Sequence, residues 1–158
     1  MSDKASASLS ASILLNEIKT SMSGSQIYAP ADGNDLWVFA EVQIATTASA
    51  NLLDTNDSFI GSSLQVAMDD VVRWLCIKNI DRQSTQGIAI NFATGTANFD
   101  LKGNIIIGPG EMVILKPMFT TVEDLHARSC VLDSNLRPIS QGDSAGTAHV
   151  AAILDRAD

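Results

Sequence analysis

Leu36-Trp37-Val38-Phe39-Ala40-Glu41-Val42-Gln43-Ile44 decides the fold class. Its apolar residues fall at every second position, which is the period of a strand with one buried face. Leu36, Val38, Ala40, Val42 and Ile44 share that face. Trp37 and Phe39 alternate with them, so the opposite face is expected to be partly covered too.

The same period recurs downstream. Val71–Ile80 is the most apolar run and is expected to be a central strand. Asp81–Gly87 reads as a turn, and Ile88, Ile90 and Phe92 alternate after it, which predicts a hairpin of the two runs. Ser62–Met68 alternates weakly. Residues 97–101 and 105–107 are short strand candidates. Gly108-Pro109-Gly110 is a breaker, because proline fixes φ and glycine tolerates positive φ. Glu111–Met118, Leu125–Leu132 and Thr147–Leu154 complete the set. Thr120–Glu123 has capping-box spacing and predicts one helical turn. Residues 45–61 read as a polar loop with room for a short strand, and Ser134–Ala145 as a loop. Seven to nine strands at intervals of about 10 residues, without strand–helix alternation, predict an all-β fold. The expected architecture is an antiparallel β-sandwich, jelly-roll-like, over residues 26–158.

Residues 1–25 differ. Serine and alanine dominate, and Leu14, Ile18 and Met22 recur four apart. That spacing predicts a short amphipathic helix carried on an N-terminal arm. Such a helix is too short to stand alone. Leu14, Ile18 and Met22 are therefore the candidate partner-docking residues, aimed at the chain's own sandwich or at a neighbour.

The totals bound the function. At 158 residues the chain fits one main domain and can bury about two thirds of its unfolded surface. Its apolar fraction is 46% and its charged fraction only 18%. Net charge is −8 and the pI about 4.5, so phosphate-rich partners are disfavoured: no nucleic acid and no anionic membrane is expected. The start lacks the regions of a signal peptide, and no apolar run approaches about 20 residues. The expected place of synthesis is a cytoplasm. Cys76 and Cys130 show no CxxC spacing and are expected to be free thiols.

The sequence contains no P-loop, HExxH or dinucleotide fingerprint. Asp54-Thr55-Asn56-Asp57-Ser58 resembles the start of a calcium loop, but Phe59 replaces the glycine and Gln65 the bidentate glutamate. Asp69-Asp70 and Glu123-Asp124 are adjacent pairs, which on a strand face opposite ways. They read as turn or cap residues. His126 and His149 lie in predicted strands without ligand spacing. The expectation is a non-enzyme with no catalytic residue, no metal and no cofactor.

Three segments carry a resemblance. Trp74–Asp81 followed by Gln86–Asn91 resembles a strand, Lys-Asn, turn and strand unit found in small virion proteins of tailed bacteriophages. Ile106–Leu115 is similar to their Pro-Gly-Glu turn and following strand, and Thr121–Ser129 to the segment after it. The resemblance covers residues 71–154 and implies a capsid decoration, or cement, protein. It also implies a homo-oligomer, often a homotrimer, bound to the major capsid protein on the capsid exterior of a virion and assembled in the host cytoplasm. A tail, neck or fibre component is the alternative structural role. A receptor- or carbohydrate-binding module is the alternative from another class.

Overall fold

The computed structural model describes residues 5–15, 18–28, 35–46, 50–53, 66–82, 85–92, 105–117, 120–142 and 144–156. The chain divides into two compact units, Met1–Gly33 and Asn34–Asp158. All regular structure among the described residues is β.

The first unit is a hairpin of β1 (Ala5–Leu15) and β2 (Ile18–Tyr28). The amphipathic helix expected through Leu14, Ile18 and Met22 is not formed. The reason lies in the residues around that trio. Ala5-Ser6-Ala7-Ser8-Leu9-Ser10-Ala11-Ser12-Ile13 alternates with period two, as does Ser21-Met22-Ser23-Gly24-Ser25, and serine disfavours helix interiors. The four-residue spacing of the trio spans the reversal between two strands. The ladder runs without a register shift from Ala5↔Tyr28 to Leu15↔Ile18.

The second unit is an antiparallel sandwich. One sheet has the order β10-β9-β6-β7, from β6 (Gln86–Phe92), β7 (Ile105–Ile107), β9 (Leu125–Leu132) and β10 (Pro138–Gln141). β4 (Ala50–Asn51) shares the β10 edge of β9. The other sheet has the order β3-β11-β5-β8, from β3 (Leu36–Ile44), β5 (Val71–Asn79), β8 (Met112–Leu115) and β11 (Gly146–Asp155). The core lies between them. Val38, Leu75, Ile77, Val150 and Leu154 from one sheet meet Ile88, Ile90, Ile107 and Leu125 from the other. Such burial of apolar surface is the main term that holds a sandwich together.

β5 and β6 do not form the expected hairpin. β5 pairs with β11 and β8, while β6 pairs with β9 and β7. The chain passes from one sheet to the other between Asn79 and Gln86. Asn79 fixes this crossing. Its side chain is fully buried, its Nδ2 donates to the Gln86 carbonyl at 2.9 Å and the Ile107 carbonyl at 3.2 Å, and its Oδ1 accepts from Asp81 N–H at 3.0 Å. Asp81 in turn accepts from Thr147 N–H at 2.7 Å.

The chain also changes sheets between β7 and β8, through Gly108-Pro109-Gly110. Gly110 has φ +73°, and Glu111 Oε2 accepts from Gly108 N–H at 2.7 Å. At the other corner Ala45, just past β3, accepts from Ser129 N–H of β9 at 2.9 Å. The two sheets are thus stitched together along both margins.

Three smaller differences follow. Pro138–Gln141, expected within a loop, forms β10 with a register shift on β9. Thr120–Glu123 is not helical; Thr121 Oγ1 donates to Asp124 Oδ2 at 3.2 Å in a turn. Val66–Met68 is not a strand: Asp70 Oδ2 accepts from Ala67 N–H at 2.9 Å and caps a turn there. The strand expected at residues 97–101, the calcium-like loop 54–58 and the rest of Ser62–Met68 lie outside the described residues.

Candidate docking surfaces

The outer face of the β3-β11-β5-β8 sheet is built in rows by its register. Trp37, Ile153 and Trp74 form the first row, Phe39, Ala151, Cys76 and Ile114 the second, and Glu41, His149, Lys78 and Met112 the third. Trp74 belongs to this face because the register shifts between Ile153 and Leu154, which leaves Arg73 as an extra residue in β5. Trp37 and Trp74 meet edge to face over Ile153, with ring centroids 5.8 Å apart and planes at 69°. Trp74 is buried.

Exposure rises along the sheet. Phe39 is 44% and Met112 56% exposed. Phe39 lies against the His149 ring at 5.8 Å, and His149 Nε2 sits 3.2 Å from Glu41 Oε2. Both partners of that pair are largely solvated, so it adds little to stability. The face therefore joins a largely buried aromatic centre to a margin where Phe39, Met112 and the Glu41–His149 pair are exposed.

The three residues singled out by sequence do not share a face. In the hairpin register Ile18 stands opposite Leu15 and Met22 opposite Ala11, on one face. Leu14 stands opposite Lys19, on the other. The first face carries Ala5, Ala7, Leu9, Ala11, Ile13 and Leu15 of β1. The second carries Ser6, Ser8, Ser10 and Ser12 of β1 with Ser21, Ser23 and Ser25 of β2. Met22 is 56% exposed. A shallow concavity on the ribbon is lined by Ser8, Ser10, Ser23, Gly24 and Ser25. The alternation of serine at positions 6, 8, 10 and 12 was the signal for this face.

The titratable groups among the described residues are dispersed. Cys130 and His126 lie on β9, and His149 lies on β11 in the opposite sheet. No group of three or more His, Cys, Asp or Glu that could hold a metal ion occurs among the described residues. His126 and Arg128 are buried on β9. Arg128 Nε donates to the Thr46 carbonyl at 3.1 Å. Both His126 ring nitrogens and Arg128 Nη2 have no hydrogen-bond partner. The cysteines are free. Burial raises the Cys76 thiol above its usual range and pushes Cys130 up to about 11, so both stay protonated at neutral pH and are poor nucleophiles. Buried Gln86 and Ser129 form a polar knot with exposed Ser144: Gln86 Nε2 donates to Ser129 Oγ at 2.5 Å and to the Ser144 carbonyl at 2.8 Å. Its members satisfy one another, which is a structural role.

Among the described residues no helix is long and apolar enough to cross a membrane. No family model, no curated protein and no solved structure matches the chain.

Proposed function

We propose that this chain is a structural virion protein, one that decorates a tailed-phage capsid and stabilises it by bridging adjacent major capsid proteins. One observation supports this above the others: the outer face of the β3-β11-β5-β8 sheet exposes Phe39 and Met112 beside the Glu41–His149 pair. A firm sandwich presenting an apolar patch with a charged margin suits repeated docking on a shell. Many copies would each add a modest interface, and the symmetry of the shell would multiply it.

The test is immunogold labelling of virions of the phage that carries this chain, followed by binding of purified protein to shells stripped of it. Label over the head exterior and saturable binding are expected, with Phe39→Glu weakening binding at least tenfold. Label confined to the tail, or binding unchanged by Phe39→Glu, overturns the reading.

A further inference from the structure

Among the described residues, the outermost strands of the sandwich carry features that resist further pairing. β7 and β8 have only three and four residues, β10 carries Pro138 and a register shift, and β3 carries Glu41. Short, charged, bulged or proline-bearing edges resist pairing with other chains. β1 has none of these devices. It is eleven residues long, without charge, proline, glycine or register shift, and among the described residues its only partner is β2. β2 differs, since it carries Lys19 and Gly24.

A two-stranded ribbon is marginal in water without further cover. One face of this ribbon is mostly serine, with Leu14, Lys19 and Ile27 among it; the other carries the alanines, Leu9 and Leu15 of β1 with Met22, and both Ile27 and Met22 are exposed. Charge bears on what could cover it. Residues 1–33 hold Asp3, Glu17 and Asp32 against Lys4 and Lys19, a net −1, which leaves −7 of the chain's −8 on the rest. Two copies therefore repel through their sandwiches and least through their hairpins.

The sequence of β1 also matches its own reversal. Aligned antiparallel with a second β1 over full length, the strand has Ser10 opposite Ser10 on the two-fold axis. Ser8 then stands opposite Ser12, Leu9 opposite Ala11, Ala7 opposite Ile13 and Ala5 opposite Leu15. Serine meets serine and apolar meets apolar in each of these pairs; Ser6 opposite Leu14 is the one mixed pair, and elsewhere the two-faced pattern continues across the junction.

We infer that β1 is a homodimerisation edge: two copies of this chain join their β1 strands antiparallel about Ser10 into a continuous four-stranded sheet. Such an isologous contact closes at two copies, whereas the family resemblance implies trimers. The inference does not depend on the virion reading, because it concerns the purified chain alone.

The experiment uses full-length protein and charge exchange across the Ser8–Ser12 pair. Light scattering of wild type should give twice the 16.7 kDa chain mass. Ser8→Lys/Ser12→Lys places like charges opposite each other on both sides of the two-fold axis and should give monomers, as should Ser8→Glu/Ser12→Glu. Mixing the two variants should restore a dimer holding one of each, which also shows that both still fold. In a Cys76→Ala background, Ser10→Cys should cross-link two copies on oxidation, whereas Ser23→Cys at the middle of β2 should not. A monomeric wild type, dimers that survive both charged variants, or equal cross-linking at positions 10 and 23 overturns the inference.

Discussion

The buried Asn79 side-chain amide donates to the carbonyl oxygen of Gln86 at 2.9 Å, across the segment in which the chain leaves one sheet for the other. The same nitrogen reaches Ile107 at 3.2 Å, so one side chain ties β5, β6 and β7. Asn79→Ala would leave two carbonyls and the Asp81 N–H without this partner. Unmatched buried polar groups are expensive, and a loss of about 2–4 kcal/mol is expected. Urea unfolding reads it directly; a midpoint equal to wild type would show that the crossing holds without Asn79.

Ile77 is fully buried in β5, between β11 and β8, and belongs to the main core. Truncation to alanine removes three carbons from a site enclosed by both sheets. Ile77→Ala should cost about 2–5 kcal/mol. Thermal melting is the measurement, and an unchanged transition would mean the strand is not packed as described.

Two glycines should respond differently to alanine. A Cβ at Gly142 would lie 2.9 Å from the Ser129 Cβ and 3.1 Å from its backbone carbon. Ser129 is buried and hydrogen-bonded, so it cannot give way, and Gly142→Ala should cost about 1–3 kcal/mol. Gly110 has open space around it, and only its φ of +73° opposes a side chain. Gly110→Ala should cost about 1 kcal/mol. Equal losses at the two positions would contradict this difference between crowding and backbone strain.

Alkaline pH should weaken the fold through its thiols. Cys130 ionises near 11 in the native state against a usual 9.0, because burial disfavours the thiolate, and Cys76 is shifted the same way. Between about pH 9 and pH 11 the unfolded chain gives up this proton while the native chain keeps it. The native state then binds more protons, so stability falls as pH rises. Cys130→Ala, less stable at neutral pH, should show a shallower alkaline decline in urea midpoint. A decline as steep as wild type would assign it to other groups.

Much of the sandwich was legible in the sequence. β3, β5, β9 and β11 each declare a buried face through apolar residues, and their limits fall close to those expected. Partners were less legible than strands. Periodicity says that Val71–Asn79 and Gln86–Phe92 are extended, but whether they pair or cross depends on where Asn79 finds its acceptors. β10 escaped notice because Pro138, Ser140 and Gln141 show no strand signature; the edge of β9 supplies its pairing. The position of Trp74 on the outer face was hidden by the bulge at Arg73, which reverses the alternation within one strand. The outer-face row was partly visible, since Trp37 and Phe39 alternate with the core residues of β3. In the hairpin, alanine and serine differ so little in hydrophobicity that their alternation was outweighed by the larger Leu14, Ile18 and Met22.

The position of β11 has a consequence for how the protein is made. It comes last among the strands in chain order, yet it lies between β3 and β5 and pairs with both. A growing chain therefore holds β3 and β5 as two separate edges, with nothing between them, until residues 146–155 have left the ribosome. That sheet can close only after nearly all of the second unit has been synthesised, and its contacts span more than 100 residues, from Leu36 to Leu154. Non-local pairing of this kind folds slowly. Until that pairing forms, the facing edges of β3 and β5 stay open, and open strand edges are where chains join wrongly.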